Sequence, residues 1–365
     1  MEKLSVILSA LEQWAPPSLQ ESYDNSGLIT GNREMLITGA LICLDSTEAV
    51  LDEAITHNCN LVIAHHPIVF SGMKKLNGNN YVERTIIKAI KNDIAIYAIH
   101  TNLDNVAAGV NSMITSKIGL SNIRILSPKG GFLKQLVTYC PHENAEKVRA
   151  ALFEAGAGAI GNYDECSFSS SGSGTFRGSE ISNPVIGQKG VRHTEPETRI
   201  EAVFESWKTA AVMKKLREAH PYEEIAYSIH SLDNQYNNIG SGMIGDLPEA
   251  ENTMNFLSRL KDVMKSGCIR YTRPTGKQIK RIAVCGGSGS FLLQDAITQG
   301  ADVFVSADFK YHQFFDADDR IMIADIGHFE SEQFTKDLIY EFLNGKFTTF
   351  ALRLSGLNTN PINYF

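Results

Sequence analysis

The stretch Leu61-Val-Ile-Ala-His-His-Pro67 decides the plan of this chain. Its apolar residues predict a buried strand, and Pro67 ends that strand because proline has no backbone N–H to give to a sheet. Neighbouring side chains on a strand point to opposite faces, but at a strand end both imidazoles can turn into one cleft. The dipeptide alone is more typical of two solvated loop histidines. A functional interpretation therefore depends on ligand-type residues at other strand ends.

Strands and helices alternate on both sides of this stretch, and the same order returns near the C-terminus. Apolar strands separated by helices are typical of parallel sheets with both faces covered. The sequence therefore predicts an α/β fold with a mostly parallel sheet flanked by helices. The predicted strands cover residues 36–44, 61–64, 94–99, 281–285, 302–306, 321–324 and 348–354.

The composition changes between residues 131 and 239, where two similar blocks follow each other. Together they predict the β-α-β-β-α-β order of a ferredoxin-like α+β domain. We predict that this domain, 131–239, is inserted into a discontinuous α/β domain made of 1–130 and 240–365. The Ser/Gly-rich stretch 167–174 is predicted to be a mobile loop. The predicted elements are strands 135–140, 161–168, 199–205 and 223–230, and helices 145–155 and 209–219.

The overall composition is that of a soluble globular protein: of 365 residues, 43% are hydrophobic and 21% are charged. No apolar stretch approaches the roughly 18 residues of a membrane helix, and the N-terminus has no signal cleavage pattern. We therefore expect a cytoplasmic protein without a membrane partner, whose six cysteines are reduced and mostly buried. A formal charge of −7 gives no support to nucleic-acid binding by bulk electrostatics, although a local basic surface remains open.

Histidines and carboxylates follow several predicted strands, where ligands of open parallel sheets bind. Among them, His328 and Glu332 are four residues apart at a predicted helix start, which places both side chains on one face. Imidazoles and carboxylates without thiolates suit Zn, Mn, Fe, Co or Ni. These histidines and carboxylates are more than one metal ion needs as ligands, and a carboxylate can bridge two ions. The strand-end residues are His65, His66, His100, Asp104, Asp308, His312, His328 and Glu332.

Each of these features also has a purely structural interpretation. Asp104 can serve as a helix cap, and His328 with Glu332 can form an exposed pair. His100 and His312 can be core histidines or groups that support a ligand. The loop Gly286-Gly-Ser-Gly-Ser290 can offer amides to a phosphate or can simply be a tight strand-to-helix turn. The residues alone leave these alternatives open.

Several stretches nevertheless resemble one known family, the GTP cyclohydrolase 1 type 2 homologues, or NGG-interacting-factor-like dinuclear metal proteins. Residues 131–239, which contain His220-Pro-Tyr-Glu-Glu224, look like the PII- or CutA-like insertion of its longer members. The resemblance covers both halves of the predicted α/β domain. The stretches that carry it are Asp24-Asn-Ser-Gly-Leu28, Leu61-Val-Ile-Ala-His-His-Pro67, His100-Thr-Asn-Leu-Asp104 and Ile326-Gly-His-Phe-Glu-Ser-Glu332.

The resemblance implies a site with two divalent ions and a toroidal homohexamer. His100 and His312 are not implied as ligands, and we interpret them as candidate catalytic groups that move protons. The implied activity is metal-dependent hydrolysis of a nucleotide-like substrate, namely opening of the GTP ring with release of formate. The metal ligands implied by the resemblance are His65, His66, Asp104, His328 and Glu332.

Three other functions remain open at this point. The same two ions could cleave phosphoesters. The ring could instead be a metal-dependent scaffold that encloses nucleic acid or a protein partner without turnover. The inserted domain could sense a small molecule and gate the cavity.

Overall fold

The computed structural model describes residues 1–349 and 351–365. The chain divides into two compact units. Unit 1 comprises Met1–Pro128 and Asn237–Phe365, and unit 2 comprises Lys129–Tyr236. No helix in the described part of the chain combines the length and apolar character that a membrane crossing requires.

The first segment of the chain alternates strands with helices, as the sequence predicts. Its strands are β1 (Glu2–Lys3), β2 (Gly27–Thr30), β3 (Leu36–Ile37), β4 (Ala40–Asp45), β5 (Leu61–His66), β6 (Ala95–Ala98) and β7 (Ser121–Gly130). Its α-helices are α1 (Leu4–Trp14), α2 (Glu48–Thr56), α3 (Tyr81–Lys91), α4 (Thr101–Asp104) and α5 (Val110–Ile118).

The middle segment has strands β8 (Leu133–Pro141), β9 (Phe168–Arg177), β10 (Arg192–Glu205) and β11 (Tyr227–Leu232). Its α-helices are α6 (Ala145–Glu154) and α7 (Thr209–Ala219). The last segment has strands β12 (Gln235–Glu251), β13 (Arg270–Tyr271), β14 (Ile279–Ser288), β15 (Val303–Ala307), β16 (Met322–Asp325) and β17 (Leu352–Leu354). Its α-helices are α8 (Thr253–Val263), α9 (Leu293–Thr298), α10 (His328–Glu332) and α11 (Thr335–Lys346).

The parallel strands of unit 1 form two sheets, so the prediction of one sheet is wrong. One sheet has the order β17-β4-β5-β6-β2, in which only β2 is antiparallel to its neighbour. The other has the order β13-β16-β15-β14-β12-β7, with β14, β15 and β16 parallel, β13 antiparallel to β16 and β12 antiparallel to β14. Alternation along the chain predicts strand type, but strand pairing depends on contacts between distant residues.

Local sequence explains the elements that carry β5 and its neighbours. The residues of β4, β5 and β6 are almost entirely buried, which fits strands covered on both faces. Thr47 accepts a hydrogen bond from Val50 N at 3.3 Å and thereby caps α2. Asn80 caps α3 in the same way, by accepting from Glu83 N at 2.9 Å. These caps fix where each helix begins.

Unit 2 has one antiparallel sheet of order β11-β8-β10-β9, with α6 and α7 between its strands along the chain. This arrangement agrees with the predicted β-α-β-β-α-β order. A single buried cluster forms its core. The cluster includes Leu136, Val148, Leu152, Ile200, Phe204, Val212 and Leu216.

The Ser/Gly-rich stretch of unit 2 is a strand, so its prediction as a mobile loop is wrong, as is the predicted strand at 161–168. β9 pairs with β10 along its whole length, from Phe168 opposite Glu201 to Arg177 opposite Arg192. Backbone hydrogen bonds hold this pairing and need no particular side chain, so an edge strand tolerates serine and glycine. The predicted last strand of the chain, 348–354, includes residue 350, which lies outside the described residues; β17 covers its end.

Candidate metal centre

The candidate site of unit 1 lies at the carboxyl ends of parallel strands from both sheets. His65 and His66 end β5, and Asp104 ends the short helix α4 that follows β6. His328 and Glu332 lie on α10, directly after β16. Side chains from these elements line a cavity of about 350 Å³. Ligands of open α/β sheets bind at the carboxyl ends of the strands, and here the strand ends of two sheets contribute to one site.

Glu332 is shared by two groups of potential ligands. Its Oε2 lies 2.9 Å from His66 Nε2 and 3.1 Å from His328 Nε2. Its Oε1 lies 3.9 Å from His65 Nε2, which is 3.7 Å from Asp104 Oδ1. Within each group of three residues, one donor atom per residue lies within 4.8 Å of the others. The structure thus brings together all five residues that the family resemblance implied as ligands.

The two predicted catalytic histidines occupy different places. His100 lines the cavity, and its ring centroid lies 5.2 Å from that of His65 and 5.3 Å from that of His66. His312 is exposed and packs against Tyr311 and Phe315 on a short 3-10 helix after β15. Among the described residues that line the cavity, His312 does not occur. The structure therefore offers His100, but not His312, to a substrate in this cavity.

Backbone and side-chain acceptors orient the two histidines of β5. His65 Nδ1 donates to the carbonyl of Ile99 at 2.8 Å, and His66 Nδ1 donates to Asp45 Oδ1 at 2.7 Å. The second bond follows from strand register, because Asp45 of β4 stands opposite His66 of β5. Both rings therefore turn Nε2 towards Glu332. A histidine that binds a metal through one nitrogen is commonly held in this way by the other.

Two further aspartates orient the remaining histidines of the cavity. His328 Nδ1 donates to Asp308 Oδ2 at 2.6 Å, and His100 Nδ1 donates to Asp24 Oδ1 at 2.8 Å. From the sequence, Asp308 was placed among the strand-end residues without a role. Asp24 was included only as part of a stretch that resembles the family. Both Asp45 and Asp308 lie at the end of a strand next to one that leads to a candidate ligand. This position was the sequence signal that could have predicted their role in orienting the histidines.

Two buried atoms at the site have no hydrogen-bond partner among the described residues: His65 Nε2 and Asp104 Oδ1. Burial of such an atom without a partner costs about 1–3 kcal/mol. Both atoms belong to the group that faces Glu332 Oε1, and imidazole nitrogen and carboxylate oxygen are good ligands for divalent transition metals. The residues present therefore fit a metal ion, which would satisfy both atoms.

The charges of the site favour a cation between the two histidines that face Glu332 Oε2. Burial alone lowers the pKa of His66, but the hydrogen bonds that its ring donates to Asp45 and Glu332 raise it to about 9. The negative charge of Glu332 raises the pKa of His328 to about 11. Burial opposes ionisation of Glu332, yet His328 and the other two imidazoles hold its pKa well below the ordinary value. Surroundings that stabilise a proton here also stabilise a metal ion.

In the predicted loop Gly286-Gly-Ser-Gly-Ser290, residues 286–288 form the irregular end of β14, and the chain turns at Gly289 into a short 3-10 helix. Gly286 N donates to Asn111 Oδ1 at 3.0 Å, and Gly287 N donates to Ser331 Oγ at 2.9 Å. These two amides are therefore engaged within the protein. A Cβ at Gly287 would lie 2.5 Å from Glu332 Oε1, so glycine leaves room for that carboxylate. Of the two sequence interpretations, the observed bonds favour the turn.

We expect Asp45→Ala to weaken metal binding about 10–100-fold, because His66 would lose the carboxylate that fixes its ring. The dissociation constant of Zn²⁺ or Mn²⁺, measured by competition with a chelator, checks this. Asp52→Ala is the matched control, since Asp52 is an exposed aspartate on α2 that pairs with Lys88. Equal affinities in the two variants would contradict the role given to Asp45.

The fold and the site define an α/β protein with a histidine–carboxylate cluster that can hold metal ions. Comparison with known families agrees: the model of Duf34/NIF3 (NGG1p interacting factor 3) matches residues 2–361. The chain belongs to this family.

Individual relatives resemble the chain over its whole length. Two proteins named GTP cyclohydrolase 1 type 2 homolog, from Halalkalibacterium halodurans and Bacillus subtilis, are 36% and 35% identical to it. The alignments cover 98% of this chain and 98% and 97% of the relatives. The crystal structure of a Bacillus cereus protein related to NIF3 superposes with a TM-score of 0.88 at 35% identity, covering 100% of this chain and 99% of that one.

Proposed function

We propose that this chain is a metal-dependent hydrolase that acts on a nucleotide-like substrate, opening the guanine ring of GTP with release of formate. The observation that carries the proposal is the position of Glu332, whose two carboxylate oxygens face two separate groups of potential ligands. A shared carboxylate of this kind is typical of hydrolytic centres with two ions. The names of the relatives give the proposed substrate.

The proposed cofactors are two divalent ions of the Zn, Mn, Fe, Co or Ni type. His65, Asp104 and Glu332 would hold one, and His66, His328 and Glu332 would hold the other. When bound, such ions supply hydroxide near neutral pH and polarise the group that it attacks.

His100 is the residue of the cavity that we propose for proton transfer. Its Nδ1 donates to Asp24, so its Nε2 is left free to exchange a proton with a substrate. Burial raises the pKa of Asp24, but bonds from His100 and the hydroxyl of Thr101 outweigh burial and lower it well below the ordinary value. Asp24 therefore stays ionised and keeps His100 in one orientation. Ring opening consumes one water and leaves a formamide, and a second water releases formate.

The rim of the cavity supports a substrate with a flat ring. Tyr23, Phe70 and Phe291 line the cavity and expose much of their side chains. The ring centroid of Phe70 lies 6.3 Å from that of Tyr23 and 6.3 Å from that of His100. Exposed aromatic rings bind nucleobases by stacking. A base stacked here would lie next to the histidine–carboxylate cluster.

The test is release of formate from GTP by purified protein loaded with Zn²⁺ or Mn²⁺. We expect His65→Ala to reduce the rate to background, because it removes a proposed ligand. His57→Ala is the matched control, since His57 is an exposed histidine after α2. If the wild type releases formate no faster than His65→Ala, the cyclohydrolase assignment is wrong. The alternative reaction, cleavage of phosphoesters by the same two ions, is tested by measuring hydrolysis of a panel of simple phosphoesters under the same metal loading.

We expect Phe70→Ala to raise the dissociation constant of GTP about tenfold, because stacking on an aromatic ring contributes about 1–3 kcal/mol per base. Phe70→Tyr keeps a ring and should keep the affinity. The measurement is equilibrium binding of GTP, with metal content determined on the same samples and expected to be unchanged. Tyr81→Ala, which removes an exposed ring on α3, is the control. A Phe70→Ala protein that binds GTP like the wild type would exclude this stacking site.

The toroidal homohexamer also remains a proposal. It rests on the family resemblance, and the mass of the particle in solution, from light scattering after size exclusion, checks it.

A further inference from the structure

Unit 2 contains a cavity of its own, of about 720 Å³. One side is formed by β9 and β10, and another by the segment 178–186 and by residues 222–226 after α7. This volume lies within the range of small-molecule sites in proteins, about 300–1,000 Å³. Nothing in the proposed hydrolysis uses this cavity.

Aromatic rings form much of its wall. Tyr139, Phe176 and Tyr222 line it, and the ring centroids of Phe176 and Tyr222 are 6.2 Å apart. Buried His220 fixes the position of Tyr222: its Nε2 donates to the carbonyl of Tyr139 at 2.9 Å, and its Nδ1 accepts from Tyr222 N at 3.2 Å. The stretch His220-Pro-Tyr-Glu-Glu224, which the metal centre does not explain, thus builds one wall of the cavity.

Glu197 places a buried carboxylate in this wall. The residue is only 9% exposed, and its Oε1 accepts a hydrogen bond from the hydroxyl of Tyr222 at 2.9 Å. Its Oε2 lies against Gly174 of β9, where a Cβ would overlap with it. A buried carboxylate is costly to keep charged unless donors surround it. Among the described residues, the phenol of Tyr222 donates to Oε1, and Oε2 remains as an acceptor for a ligand.

The other charged groups of the lining are two carboxylates, Glu223 and Glu224, and two guanidinium groups, Arg177 and Arg199. Their charges cancel, so Glu197 gives the lining its net negative charge. Glu223 accepts a hydrogen bond from Asn183 N at 2.7 Å and so holds the segment 178–186 at the cavity. Arg199 is paired with Glu201, whose carboxylate lies 3.0 Å away. An organic cation is therefore better matched to this lining than an anion.

We propose that the cavity of unit 2 binds a small organic cation with an amidinium, guanidinium or ammonium group and an apolar ring. The charged N–H group donates to Glu197 Oε2. The apolar ring packs against Tyr139, Phe176 and Tyr222, which also attract the positive charge through their faces. Charge-assisted hydrogen bonds to a carboxylate are stronger than those between neutral groups. The site is independent of the metal centre and of the proposed hydrolysis.

The experiment uses three probes of one shape: benzamidine, benzamide and benzoate. Titration of the full-length protein, followed by ligand-detected NMR, should show saturable binding of benzamidine at millimolar concentration or below. Neutral benzamide and anionic benzoate should bind at least about tenfold more weakly. Equal binding of the three probes, or no saturable binding of benzamidine, would overturn the proposal.

Variants locate the binding at Glu197. Glu197→Gln keeps the size of the side chain and an oxygen for Tyr222, and it should weaken benzamidine binding on the order of tenfold. Gly174→Ala displaces the carboxylate without removing it and should weaken binding as well. Glu143→Gln, a change of an exposed carboxylate of unit 2, should bind like the wild type. Unaltered affinity in Glu197→Gln, with an unchanged melting temperature, would refute the assignment.

Discussion

Glu332→Ala is expected to abolish binding of both proposed metal ions and to reduce the proposed release of formate to background. The reason is geometric: Oε2 faces His66 and His328, while Oε1 faces His65. Loss of one side chain therefore removes a ligand from both groups at once. Metal content per chain, determined by mass spectrometry after mild purification, and formate release on the same samples are the measurements.

Asp104→Ala provides the internal comparison, because Asp104 belongs to only one of the two groups. We expect this variant to lose one ion and to retain about one per chain. Glu341→Ala, which removes an exposed carboxylate from α11, should retain both. A Glu332→Ala protein that still holds one tightly bound ion would show that the carboxylate is not shared.

Gly287→Ala is the second change with a large expected effect. Gly287 has a φ of +59°, a left-handed conformation that costs other residues about 1–2 kcal/mol. The added Cβ would also lie 2.5 Å from Glu332 Oε1 and 3.2 Å from His328 Cε1. We expect the protein to lose metal binding and to become less stable by about 2 kcal/mol or more. Chemical denaturation and metal content measure the two effects.

Gly119→Ala separates the two causes. Gly119 also has a left-handed backbone, with a φ of +80°, but a Cβ there would meet nothing within 4 Å. This variant should lose about 1 kcal/mol of stability and keep its metal. If both variants lost stability equally and both kept their metal, the close approach of Gly287 to Glu332 would not be needed for metal binding.

Much of the site follows from local sequence. An apolar strand that ends in His65-His66-Pro67 fixes two imidazoles at a strand end, because proline stops the pairing there. A spacing of four on a helix brings His328 and Glu332 to one face. These are short-range rules, so they hold whatever the rest of the chain does. Asp104 was already among the strand-end residues, and the family resemblance, which the match over residues 2–361 confirms, implied it as a ligand.

Other features depend on how distant strands pair. Asp45 reaches His66 because β4 and β5 align them opposite each other. The Ser/Gly-rich residues of β9 form a strand because β10 pairs with them. Pairing and register are set by contacts between segments far apart in the chain, which local propensity does not encode.

The sequence by itself determined the α/β pattern of unit 1, the order of elements in unit 2 and the residue types of the cluster, because periodicity and spacing are local properties. Only the tertiary structure decided that the parallel strands form two sheets, that Glu332 is shared between two groups, and that His312 lies outside the cavity. It also decided that Glu197 and three aromatic rings enclose a second cavity. The physical reason is that a site is an arrangement of side chains from distant strands, and only the packing of those strands brings the side chains together.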